Sequence, residues 1–141
     1  MKTFIIKEVG ERYSNITVST AFDMFREIKG IYENLDDGQE HLVLLCFDSG
    51  NKITHYKVLF SGAMDASMVD PKILFRAVLL TNATGIALVH NHPSGRLKPS
   101  DSDIKETQKI KKICEMFEIR FIDHLIISKD GYYSMQEHEL I

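Results

Sequence analysis

Apolar and polar positions alternate with two different periods along this chain, and the switches between them divide it into elements. Over residues 19–30 (STAFDMFREIKG) the period is helical: Phe22, Phe25 and Ile28 form a face, with Ala21 and Met24 beside them. Ser19 or Thr20 is the expected cap and Gly30 the expected stop. After a polar loop at 34–39, residues 40–48 (EHLVLLCFD) form an apolar run of strand length. Asp48, Ser49, Gly50 and Asn51 make a turn into KITHYKVLF (52–60), so 40–60 reads as a hairpin. Residues 61–70 are a connection. Asp70 before Pro71 marks a helix start with proline in the first helical position, and the helix is predicted over 71–83. TGIALVHN (84–91) is a further strand. DSDIKETQKIKKICEMF (101–117) is a helix with Ile104, Ile110, Ile113, Cys114 and Phe117 as its seam. RFIDHLIIS (120–128) is a strand, KDG a turn, YYS a short strand, and 136–141 a final helical turn. KTFIIKEV (2–9) reads as an edge strand or an arm. The order helix, hairpin, helix, strand, helix, strand predicts one mixed α/β domain around a single sheet.

Composition narrows the class. A chain of 141 residues is one domain, and a domain of that size buries roughly 70% of its unfolded surface without staples. Its 44% hydrophobic and 26% charged residues are those of a soluble globular protein. A net charge of -3 argues against a surface built mainly to neutralise DNA phosphates, but leaves room for a local basic patch at Lys105, Lys109, Lys111 and Lys112. No apolar run approaches the roughly 18 residues of a spanning helix. Lys7 and Glu8 interrupt the short apolar stretch at the start, so no signal peptide and a cytoplasmic location are expected. Cys46 and Cys114 sit among apolar residues and read as reduced core thiols; zinc-finger spacing is absent.

The candidate chemistry lies in HNHPSGRLKPSDSD, His90 to Asp103. One reading is purely local. Ser100 and Asp103 make a capping box for the following helix, and Pro93-Ser94-Gly95 a turn. The other reading is a metal site. In an extended segment His90 and His92 point to one side, with Asn91 opposite. A helix starting at residue 100 carries Asp103 in its first turn, where it can face the same side. Two imidazoles and a carboxylate are an open zinc site. The two readings are compatible, because a hydroxyl has one donor and two acceptor positions and a carboxylate can serve a helix N-terminus and a metal together. An HNH nuclease is rejected: its namesake residues are dispersed over a ββα element, whereas here the letters are merely consecutive.

The pattern H-N-H-P-S-G-x-x-x-P-S-x-x-D resembles the JAMM (MPN/JAB) metalloprotease motif, and more closely its RadC-like branch. EHLVLLCFDSGNKI, DPKILFRAVLLTNATGIALVHNHPSG and FIDHLIIS followed by YYS are similar to that branch as well. The resemblance covers roughly residues 19–136 and is sharpest over 84–103. It implies a mixed sheet flanked by helices, in the three-layer arrangement shared with cytidine deaminases. It also implies zinc ligated by His90, His92 and Asp103. Glu40 matches the general acid/base, and Ser100 the serine that hydrogen-bonds the zinc-bound water or the developing oxyanion. The implied reaction is hydrolysis of a peptide, isopeptide or related amide bond in a protein or peptide substrate. The alternative is a DNA-repair-associated nucleic-acid-binding or scaffold module that keeps the metal without catalysis. Self-association stays open. Asp123-His124 reads as a satisfied core pair or as support for the ligands. His41, facing away from Glu40, reads as a core or surface residue, and His55 and His138 as surface residues. The chain is expected to lack the branch's N-terminal helix-hairpin-helix region. Arg96 and Lys98 stand where acidic or small polar residues are common, which bears on substrate preference rather than metal binding.

Overall fold

In the computed structural model, which describes residues 11–62 and 69–141, three helices flank a six-stranded sheet among the described residues. The helices are α1 (Ala21–Tyr32), α2 (Pro71–Leu80) and α3 (Asp101–Met116). The strands are β1 (Glu11–Thr17), β2 (Glu40–Phe47), β3 (Lys52–Gly62), β4 (Gly85–Asn91), β5 (Arg120–Ile127) and β6 (Tyr132–Ser134). Their order in the sheet is β1-β3-β2-β4-β5-β6. Neighbours are antiparallel except β4 and β5, which are parallel and joined through α3. The predicted mixed α/β domain around one sheet is what forms.

The central strands explain their own sequence. β2 and β4 are covered on both faces, so they read as continuous apolar runs rather than as alternation. On one face Val43, Leu45, Phe47, Ala87 and Val89 pack with Met24, Phe25, Ile28 and Ile31 of α1. On the other, Leu42, Leu44, Cys46, Ile86 and Leu88 pack with Leu74 and Val78 of α2 and Ile110 and Cys114 of α3. The result is three layers. Cys46 and Cys114 are both free and buried in this second cluster, and burial pushes their thiols up to about 11 and about 12. Among the described residues no helix is long and apolar enough to cross a membrane.

Several boundaries differ from the sequence pattern. Thr20 caps α1 by accepting from the Asp23 N–H, but the helix runs through Gly30 to Tyr32. Ile31 is buried, and the Tyr32 hydroxyl donates to the carbonyls of His41 and Val89 at 2.6 and 3.1 Å. Such anchoring outweighs the cost of about 1 kcal/mol that a mid-helix glycine carries. Phe22, assigned to the buried face, is 51% exposed; Met24 and Ile31 are buried instead. In α3 the buried seam is Thr107, Ile110 and Cys114, while Phe117 lies just beyond the helix, half exposed, with its ring 5.8 Å from that of Phe75. β1 occupies residues the pattern left unassigned. Its pairing with β3 shifts register between Arg12 and Ile16, and such a bulge removes the two-residue period that would have announced a strand. The expected strand or arm at 2–9 lies outside the described residues, as does most of the 61–70 connection.

Candidate metal centre

The sheet register brings the site together. β2 and β4 pair antiparallel with Leu42 opposite His90. Directly opposed residues share a face, and the two-residue period carries that face back to Glu40 and on to His92. Glu40, His90 and His92 therefore stand on the side of the sheet covered by α2 and α3. Past β4 the chain turns through Gly95, at φ +82°, whose N–H donates to the His92 carbonyl at 2.9 Å. Ser100 then caps α3. Its Oγ accepts from the Asp103 N–H at 3.0 Å, and Asp103 Oδ2 accepts from the Ser100 N–H at 2.9 Å. The same Oδ2 lies 3.8 Å from Nε2 of His90 and 3.8 Å from Nε2 of His92, and the two Nε2 atoms are 2.9 Å apart. The capping box and the convergence of donor atoms coexist.

The donor set fits a metal ion. His92 Nδ1 lies 2.7 Å from the Arg96 carbonyl. A carbonyl only accepts, so Nδ1 carries the proton and Nε2 turns a lone pair inward. His90 is 2% exposed, and its burial, opposed by the charge of Asp103, lowers its pKa to about 4, which keeps the ring neutral, the form that ligates. Two imidazole nitrogens and one carboxylate oxygen lie within 4.8 Å of one another. That combination suits a divalent metal with a further position left open. Glu40 is half-buried; burial raises its carboxyl above the usual range, His92 lowers it and Asp103 raises it, which sets its charge within reach of both. Ser100 is exposed at the helix start.

Supporting contacts surround these residues. Asn91, on the opposite face, donates from Nδ2 to the Gln39 carbonyl and accepts at Oδ1 from the His41 N–H, both at 2.8 Å. It thus holds the peptide groups on either side of Glu40, a role that the sequence reading did not assign; the signal was only that the middle residue of His-x-His must face away. His41 is a core residue, with its ring between Ser61 Oγ and the Asp36 carbonyl. Asp123 accepts at Oδ1 from the His124 and Gln136 N–H groups and at Oδ2 from the Ser134 hydroxyl, so it is a satisfied core carboxyl. His124 is different: its Nε2 lies 2.6 Å from His90 Nδ1. His138 is exposed and stacks on Tyr133, whereas His55 is half-buried. Lys105, Lys109 and Lys112 are exposed and Lys111 half-buried. A surface groove of about 860 Å³ runs beside His92, between Tyr32, Pro93 and Ile127.

Comparison with known proteins adds a family. Residues 18–140 match the RadC-like JAB domain. A UPF0758 protein of Chlorobaculum tepidum is 34% identical over 130 residues, covering 92% of this chain and 58% of that protein. A UPF0758 protein of Streptococcus gordonii is 43% identical over 99 residues, covering 70% of this chain and 44% of its own length. The chain spans about half the length of the curated relatives it matches.

Proposed function

The chain belongs to the RadC-like JAB domain family, and from that premise we propose that it is a zinc-dependent hydrolase of peptide, isopeptide or related amide bonds. The observation that supports this reading is the convergence of His90 Nε2, His92 Nε2 and Asp103 Oδ2 on the face that also carries Glu40. His90, His92 and Asp103 would hold the metal. When bound, zinc supplies Lewis-acid polarisation and acidifies a water to a pKa of about 7.

The residues of the chain do the rest. The Glu40 carboxylate takes the proton of the attacking water and later delivers it to the leaving amine nitrogen, so that amide and water become carboxylic acid and amine. Burial raises its pKa, which improves it as a proton acceptor and donor near neutrality. Ser100 Oγ accepts from the helix, and its own proton is the one to donate to the developing oxyanion.

Metal analysis paired with an unbiased peptide-cleavage screen tests the reading. Purified protein should hold about one zinc per chain. His92→Ala should lose it, and full retention in that variant sinks the ligand assignment. Glu40→Gln should keep zinc and lose hydrolysis; unchanged turnover removes Glu40 from the proton-transfer role. Zinc retained with no cleavage anywhere in the screen would favour the non-catalytic nucleic-acid or scaffold reading. In that case salt-sensitive DNA binding should disappear on replacing Lys105, Lys109, Lys111 and Lys112.

A further inference from the structure

Asp103 and Thr107 are four residues apart, which places both on one face of the first turns of α3. Thr107 is 1% exposed, and its hydroxyl has two neighbours at 2.7 Å: the carbonyl of Asp103 and Nδ1 of His124 on β5. A hydroxyl has one proton to give. The carbonyl can only accept, so the proton goes to Asp103, and the Thr107 oxygen must accept from His124 Nδ1–H. His124 is 5% exposed, and its ring nitrogens meet a hydroxyl and another imidazole, with no carboxylate to hold a charge there. Its single ring proton is therefore on Nδ1, and its Nε2 accepts from His90 Nδ1 at 2.6 Å. That leaves His90 with a lone pair on Nε2, the atom that faces His92 and Asp103. With neutral rings no other placement of the protons satisfies all three contacts.

We propose that Thr107 and His124 are positioning residues that fix His90 in its Nδ1–H tautomer and so set the affinity of the site for metal. The donors form a closed path. It starts on the ring of one ligand residue, His90, and ends on the backbone carbonyl of another, Asp103. Each proton points away from the metal position, and donation from Nδ1 makes the opposite nitrogen of His90 more basic. The same path couples three elements, since moving α3 relative to β5 would leave His124 without its acceptor. Had Thr107 been apolar, His124 could carry its proton on Nε2 and donate to His90, which would place a proton on the very nitrogen that ligates.

This inference rests on the metal-site reading and is tested with zinc alone, without a substrate. Zinc affinity of the whole chain is measured by competition with a chelator, and the imidazole protons are located by nitrogen NMR of the zinc-loaded protein. Thr107→Val keeps the shape and removes the hydroxyl; it should weaken zinc binding about 10–100-fold. Thr107→Ser should restore the affinity. In the zinc-loaded wild type the His124 proton should reside on Nδ1, a readout that a merely structural role for Thr107 does not predict and that needs no variant to fold. A His124 proton on Nε2, or a Thr107→Val protein that binds zinc as tightly as wild type, overturns the relay while leaving the metal site intact. A wild-type chain that takes up no zinc overturns both.

Discussion

Asp103 Oδ2 serves two masters, the Ser100 N–H of the helix cap and the space between two imidazoles. Asp103→Asn separates these duties. An asparagine oxygen can still cap, so helical circular dichroism should hold, while zinc affinity should fall by more than the roughly 10–100-fold typical of losing an outer partner. His90 gives a pH prediction. Its burial lowers the folded pKa from about 6.5 to about 4, so between those values the unfolded chain binds the extra proton. The stability linked to His90 is therefore fully present above about pH 6.5 and declines as the pH falls toward 4. The urea midpoint of metal-free protein should be lower at pH 5 than at pH 7, and His90→Gln should remove part of that difference. Gly95, at φ +82°, has open space around a would-be Cβ, so Gly95→Ala meets conformational strain alone. Its expected cost is about 1–2 kcal/mol by chemical denaturation.

At the scale of elements, burial on both faces made β2 and β4 readable as apolar runs, and Asp70-Pro71 and Ser100-Asp103 made the starts of α2 and α3 readable as caps. The end of α1 was not readable, because what extends it past Gly30 is the docking of Ile31 and Tyr32 on a sheet formed later in the chain. Gly30 is exposed and its Cβ position is empty, so Gly30→Ala should stabilise the protein by about 0.5–1 kcal/mol, seen as a higher urea midpoint. Thr107 was missed for a related reason. A threonine in an apolar seam looks like a blemish until His124 and the Asp103 carbonyl are beside it. Asn91 joins two elements, bridging β4 to the start of β2. In Asn91→Asp an oxygen would face the Gln39 carbonyl in place of a donor. That variant should lose about 1–3 kcal/mol of stability and more hydrolysis than zinc, since the segment it holds carries Glu40 rather than a ligand.

Over the whole molecule, the candidate ligand trio is compact in sequence and was visible as such, whereas Glu40 is adjacent to it only through the β2–β4 ladder. No local spacing could announce that neighbour; the family resemblance did. Because the candidate ligands lie on either side of the turn from β4 into α3, a metal held by all three of them would favour the folded chain over the unfolded one. Zinc should raise stability by at most about 2.7 kcal/mol at a hundredfold excess over its Kd, and His92→Ala should abolish most of the dependence of the thermal midpoint on zinc. Arg96 and Lys98 are exposed, and what His92 takes from position 96 is a backbone carbonyl, which every amino acid carries. Replacing either side chain would therefore change the charge on the rim while leaving the contact that orients His92 in place, much as the shape of a socket survives a change of its paint.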